Sequence, residues 1–312
     1  MEEKDIRILC NTHRLECNKV TRTIGSFDKE LFIVDDKYFI RTSKQPMQEE
    51  LNKINRIKSL VHVPRIIHAS DQGIISSTGY YIILEYLLGS DLYSIYNDLD
   101  KQNRSDIGAD ISNFLSELHK IKGDQYDIGH YTAIIPRYNN TWRSGHEQYW
   151  NYIYDSLKRI PMTKELQQLL ERSNEYINKN ISSLDFESAP SLLHNDFHYK
   201  NIIIQNHTFS GVIDWECSQY GEIDFDYIHL LQWSLFPPSK NIDTKELFRQ
   251  VFLLQMGKNH IPMIEKRLTI YMLEHDFIQI LWSQGKRGDE FLSRIKWWIS
   301  GNLERFIVTL NS

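Results

Sequence analysis

Ser191-Leu192-Leu193-His194-Asn195-Asp196-Phe197-His198-Tyr199-Lys200-Asn201-Ile202-Ile203-Ile204 is followed shortly by Gly211-Val212-Ile213-Asp214-Trp215-Glu216. Apolar runs flank two polar loops, a pattern of strand, loop and strand. Asp196 and Asn201 stand five residues apart, a spacing that a helix would not align but a compact loop can gather. A hairpin running out along Ile202–Ile204, turning over Gln205–His207 and returning to Ile213 would set Asp214 back beside Asn201. A carboxylate that can take a hydroxyl proton, together with an amide and a second carboxylate as hard oxygen ligands for Mg²⁺, suits phosphoryl transfer from a nucleotide to an alcohol. A metal-dependent hydrolase built on His194, Asp196 and His198 is the rival, but it leaves Asn201 and Ile213-Asp214-Trp215 unexplained.

Outside this stretch, the 312 residues are 41% hydrophobic and 25% charged, which suits a globular chain with a real core. A formal charge of -5 provides no basic field, so a dedicated nucleic-acid binder is disfavoured. Cys10, Cys17 and Cys217 form neither a paired framework nor a zinc spacing, and the charged start Met1-Glu2-Glu3-Lys4-Asp5 leads into no long apolar segment. A cytoplasmic protein that binds neither membrane nor nucleic acid is expected.

From Val20 to Arg41 the pattern is strand, turn, strand: Val20–Ile24, Glu30–Val34 and Lys37–Arg41, with Asp35-Asp36 as a short hairpin loop. Gln48–Leu60 reads as a helix with Leu51, Ile54, Ile57 and Leu60 on one face and Lys53 among the charges outside it. Ile66-Ile67, Gly73–Ile75 and Tyr80–Leu84 add strands. Beyond Gly89 helices take over: Ser105 as N-cap ahead of Ile107, Ile111, Phe114, Leu115 and Leu118, an aromatic stripe at Tyr149–Leu157, and a third over Leu166–Ile177. Pro262 is expected to open a helix reaching Leu281, and Asp289–Leu310 to form the last one. The expected class is α+β, a small antiparallel sheet lobe over residues 1–88 and a larger helical lobe over 89–312.

Taken together, Leu193–Asn201, Gly211–Trp215 and the segment Leu84-Glu85-Tyr86-Leu87-Leu88-Gly89 with Leu92 resemble, in order, the motifs of the aminoglycoside phosphotransferase and choline kinase family, whose fold is that of the protein kinases. The resemblance implies a bilobal kinase-like fold, Asp196 as catalytic base, Asn201 and Asp214 as metal ligands, and His194 as a brace for the loop. Where the family often has Pro-Gly before the asparagine, this chain has Tyr199-Lys200. Arg41 stands where the phosphate-pairing lysine usually does, offering a guanidinium fork with Glu50, or else Glu49, as its helix partner. Gly25 and Ser26 occupy the position of the nucleotide loop, and Glu85 and Leu87 that of the segment that meets the base edge.

The resemblance implies an ATP- or GTP-dependent, Mg²⁺-dependent O-phosphotransferase acting on a small hydroxylated, possibly cationic molecule. An aminoglycoside or related antibiotic leads, making an antibiotic-resistance kinase. A metabolic kinase for choline, homoserine or a sugar is the alternative, and an inactive kinase-like binding protein a further one. Glu216, Glu222, Glu274 and Asp276 are the candidate acceptor-site acids: clustered they would favour a polyamine, dispersed a smaller alcohol. Nothing after Asp214 resembles an activation segment closing on Ala-Pro-Glu, which disfavours a protein substrate.

Overall fold

A computed structural model describes residues 2–23, 29–44, 46–70, 79–128, 138–185 and 189–310. The chain gathers into two compact units, Met1–Leu99 with Tyr199–Glu216, and Asp100–His198 with Cys217–Ser312. The expected α+β class is found: the first unit carries the sheet and the second most of the helices.

In chain order the first unit begins with helix Glu3–Thr12 (α1), strands Val20–Thr23 (β1), Lys29–Val34 (β2) and Tyr38–Ser43 (β3), helix Gln48–Ile57 (α2), and strands Ile66–Ser70 (β4) and Tyr80–Glu85 (β5). The strands form an antiparallel sheet in the order β1-β2-β3-β5-β4. The three-residue loop between the paired Val34 and Tyr38 turns at Asp35 and Asp36, both at positive φ (52° and 51°), and the Lys37 amide donates to the Val34 carbonyl at 2.9 Å. Side chains alternate across the sheet. Phe32, Val34, Ile40, Tyr81 and Ile83 face one way and pack on Ile6, Leu9 and Cys10 of α1.

Helix α1 was not foreseen, because its apolar positions are few and set among charges, yet Ile6, Leu9 and Cys10 share one face at helical spacing. Helix α2 is shorter than expected and ends at Ile57, with His62 in the left-handed region before Pro64. Lys53 is a further correction, buried rather than solvated. The expected strand Gly73–Ile75 lies outside the described residues. Strands Ile202–Gln205 and Thr208–Val212 form the anticipated hairpin, turning at Asn206 and His207 with positive φ. Ser90-Asp91 pairs on its outer side at Ile203 and Ile204. Gly89 is required there: a Cβ on it would lie 2.2 Å from the Ile204 carbonyl oxygen.

In the second unit, the helix expected from Ser105 begins at Lys101, because Asp100 accepts the Asn103 amide at 2.7 Å and caps it a turn earlier. The stripes Ile107–Leu118, Trp150–Leu157 and Leu166–Ile177 are core as read. Met263, at φ 52°, interrupts the helical backbone after Pro262, so the next helix is Ile264–Trp282. It is buried almost all round and pinned by Arg267, whose guanidinium donates to both oxygens of Asp224 at 2.6 and 2.8 Å. The single helix expected over Asp289–Leu310 is two, Gly288–Ile299 and Asn302–Leu310, divided at Gly301 with φ 70°. Among the described residues no helix is long and apolar enough to cross a membrane.

Candidate active site

On the sheet face opposite α1, Arg41 of β3 lies next to α2, and its Nη1 donates to Glu50 Oε1 at 2.5 Å. Its Nη2 donates to Asp214 Oδ1 at 2.8 Å and stands 3.6 Å from Glu216. Arg41 is 6% exposed. Burial works against its charge, but the fields of Glu50, Asp214 and Glu216 outweigh that cost and hold its pKa above the usual value. Of the two glutamates considered, Glu50 is the partner. Sequence reading missed Lys29 of β2, which bridges Glu50 at 2.9 Å and Glu216, and Lys53, which donates to the Glu216 carbonyl at 2.6 Å. A lone lysine on a strand or amphipathic helix usually marks a solvated position, so no sequence signal pointed to either.

Arg41 and Asp214 are among the residues lining a largely apolar slot of about 280 Å³. Leu31 and Ile203 are among its walls, and Glu85, Tyr86 and Leu87 line it as well. The Glu85 and Tyr86 amides donate to the Arg65 and Lys37 carbonyls at 2.8 and 2.9 Å, and the Glu85 carboxylate is paired with Arg65. Gly25 and Ser26, expected at this site, lie outside the described residues.

The two expected metal ligands share this unit. Ile213 N–H donates to the Asn201 carbonyl at 2.9 Å, closing the hairpin so that the residues flanking it meet. Tyr199–Asn201 forms a single 3₁₀ turn in place of the family's Pro-Gly, with Tyr199 buried and Lys200 exposed. Asp214 sits in the left-handed region at φ 67°, a conformation that costs a non-glycine residue energy and concentrates at functional sites. Its side chain is 37% exposed, so the carboxylate is reachable from solvent while Arg41 holds one oxygen. An amide oxygen and a carboxylate are hard donors of the kind Mg²⁺ takes alongside phosphate oxygens and water, so the residues present fit that ion.

In the second unit, strand Ser191–Leu193 pairs with Gln219–Gly221 and delivers the loop His194-Asn195-Asp196. Buried Asp226 accepts from the backbone amides of His194 (3.2 Å) and Asn195 (2.8 Å), and its Oδ2 lies 3.0 Å from His119 Nε2. Asn195 takes φ 64° and its side chain donates to the Cys217 carbonyl. His194 is buried, and its Nδ1 accepts the Asp196 amide at 3.2 Å, so it braces the turn. That nitrogen is thereby used, and among the described residues no group of three or more His, Cys, Asp or Glu is arranged to hold a metal.

Asp196 opens onto a cavity of about 450 Å³. His198 Nε2 lies 3.6 Å from one of its oxygens and His229 Nε2 3.9 Å from the other, and His198 stacks on Trp233 at 4.7 Å. Burial, reinforced by His275, His198 and His194, holds the His229 pKa well below its ordinary 6.5. This histidine would be neutral at neutral pH, able to hydrogen-bond without adding charge beside Asp196.

The four acids named for the acceptor are not gathered here. Glu216 lies in the first unit on Lys29. Glu222 is fully buried and accepts from Tyr126 at 2.8 Å. Asp276 is fully buried, bonded to Arg294 at 2.5 Å and to Trp298 at 2.9 Å. Only Glu274 lines the cavity, bonded through Oε2 to His146 at 2.6 Å. Burial pushes the Glu274 pKa up, and His146 opposes that shift only in part.

A model of the phosphotransferase enzyme family, APH, matches residues 32–248. Among solved structures, the ADP-bound aminoglycoside phosphotransferase APH(2'')-Ib is similar at 20% identity and a TM-score of 0.68, covering 97% of each chain. The gentamicin complex of APH(2'')-IIa is similar at 20% identity, TM-score 0.68 and 96% of each chain. A ternary complex of APH(4)-Ia with ADP and hygromycin B is similar at 14% identity and TM-score 0.67, over 96% of this chain and 97% of that one. These likenesses show the kinase-like fold that the motifs implied. Among curated protein sequences no significant match is found.

Proposed function

The chain belongs to the phosphotransferase enzyme family, and we propose that it transfers the terminal phosphoryl group of ATP or GTP to a hydroxyl of a small molecule. The observation that carries this reading is the largely apolar slot whose lining includes Arg41, Asp214 and the Glu85–Leu87 segment. The base would lie between Leu31 and Ile203, with its edge toward the backbone at Leu87. Arg41 would pair with phosphate oxygens as a fixed fork, and Glu50 and Lys29 would hold it in place. Met1–Leu99 with Tyr199–Glu216 serves the nucleotide, and Asp100–His198 with Cys217–Ser312 serves the acceptor. Free Cys10, Cys17 and Cys217 suit a cytoplasmic setting.

Asn201 and Asp214 would hold Mg²⁺, which when bound supplies charge neutralisation on the phosphates. Asp196 orients the acceptor hydroxyl and takes its proton. The hydroxyl oxygen bonds to the terminal phosphorus, the bond from that phosphorus to the bridging oxygen breaks, and the products are a phosphate monoester and a nucleoside diphosphate. His194 and Asp226 keep the loop carrying Asp196 in place.

An aminoglycoside acceptor, and with it a resistance role, stands second. The structural likenesses favour it, but three of the four acids expected to receive ammonium groups are committed away from the cavity. A test of the nucleotide side is calorimetry of Mg²⁺-ATP and Mg²⁺-GTP with Asp214→Ala. At least a tenfold loss of affinity is expected, and unchanged affinity would remove Asp214 from the site.

A further inference from the structure

Resting on that reading, the Asp196 cavity identifies the chemical class of the acceptor. Among its described lining residues the carboxylates are Asp196 and Glu274 alone, while the two guanidinium groups, Arg287 and Arg294, are paired with Glu290 and Asp276. Arg294 lies over the ring of Phe291 at 5.0 Å, and Arg287 over the same ring at 5.2 Å, so both guanidinium planes are part of the cavity wall. Glu274 adds little negative field. Its carboxylate is 2% exposed, its pKa is raised, and it shares a short hydrogen bond with His146.

Several ammonium groups entering such a space would lose their water and meet too few anions, the arrangement in which buried charge costs most. The walls offer rings instead, with Tyr149, Phe225, Trp233, Tyr271 and Trp282 all lining the cavity. Trp282 is 48% exposed. Deep in the wall, Glu274 Oε1 and His146 Nε2 are buried polar atoms with no hydrogen-bond partner among the described residues. Buried polar atoms normally have partners, so this pair marks a place where a bound molecule can supply one.

We propose that the acceptor is an uncharged aromatic alcohol, stacked on the ring wall and anchored by one hydrogen bond at His146 and Glu274, with its hydroxyl at Asp196. Rings with π-faces stack with a gain beyond area burial, which lets shape replace charge as the source of specificity. The same rings could attract a quaternary ammonium, so choline is included among the probes.

The test compares three probes on the full chain by calorimetry: chloramphenicol as an uncharged aryl diol, kanamycin as a polyammonium sugar, and choline as a quaternary ammonium. Chloramphenicol should bind at least tenfold more tightly than either cation, and Trp282→Ala should weaken it about tenfold. Kanamycin or choline binding as tightly or more tightly overturns the proposal, as does chloramphenicol binding that ignores Trp282→Ala. Product mass with Mg²⁺-ATP separates the two readings. A phosphate on kanamycin in preference to chloramphenicol defeats this proposal and leaves phosphoryl transfer standing. Tight chloramphenicol binding with no phosphate on any probe supports the cavity's selectivity and counts against phosphoryl transfer.

Discussion

The slot of the first unit and the cavity of the second use charge in opposite ways. In the slot, Arg41 and Lys29 are cross-paired with Glu50, Asp214 and Glu216, yet Asp214, Glu216 and Lys29 keep 37%, 29% and 23% of their side chains exposed. A phosphate or a cation can reach them and exchange partners. Around the cavity, Glu222, Asp224 and Asp276 are fully buried, and each is held by a partner of its own. Charge in the first unit is therefore available to a ligand. In the second these three carboxylates are framework, and Asp196, with 31% of its side chain exposed, is the carboxylate open to the cavity.

Two experiments would break or sharpen that contrast. The larger effect is expected at Arg267, where both members of the pair with Asp224 are fully buried. Arg267→Ala leaves Asp224 uncompensated and should cost about 3–5 kcal/mol in urea unfolding. Mg²⁺-nucleotide should not restore that loss, because Arg267 belongs to the framework. A cost under about 1 kcal/mol would mean the pair is not desolvated and would undo the distinction.

A smaller effect is expected from His229. Its folded-state pKa lies below the unfolded value of 6.5, so the unfolded chain binds the extra proton more readily. The stability this contributes is fully present above pH 6.5 and is lost as pH falls below it toward the folded pKa. Between about pH 7.5 and about pH 5.5 the wild-type Tm should fall by more than that of His229→Gln. Parallel falls would mean that His229 is not held neutral beside His275, His198 and Asp196.

How much of this was legible in the sequence follows the same division. Asp196, Asn201 and Asp214 stood out because each lies in a short polar loop between apolar strands, and a hairpin of fixed length brings Asn201 and Asp214 together. Arg41 was readable only through the family resemblance, which left its partner open between Glu50 and Glu49 on the helix that follows β3. The cavity was not, since His146, His229, Glu274, Trp282 and Arg294 come from helices separated by long stretches of chain. Only tertiary packing decides whether Glu274 faces solvent or His146. The acids expected to attract a cationic acceptor were therefore assigned by residue type, and burial determined their actual use. The misplaced helix boundaries have local causes: Asp100 out-competed Ser105 as a cap, and Met263 and Gly301 adopt left-handed backbone where helical periodicity alone runs on.

The central claim is that Asp196 serves a phosphoryl transfer to an alcohol. Its most direct test is product mass after incubating the full chain with Mg²⁺-ATP and a panel of aryl alcohols, sugars, choline and aminoglycosides, run in parallel with Asp196→Asn. The account predicts one added phosphoryl group on an acceptor with the wild-type chain. It also predicts a turnover lower by about 10²–10⁴-fold in Asp196→Asn, with nucleotide affinity kept. The same product at an undiminished rate from Asp196→Asn would contradict it.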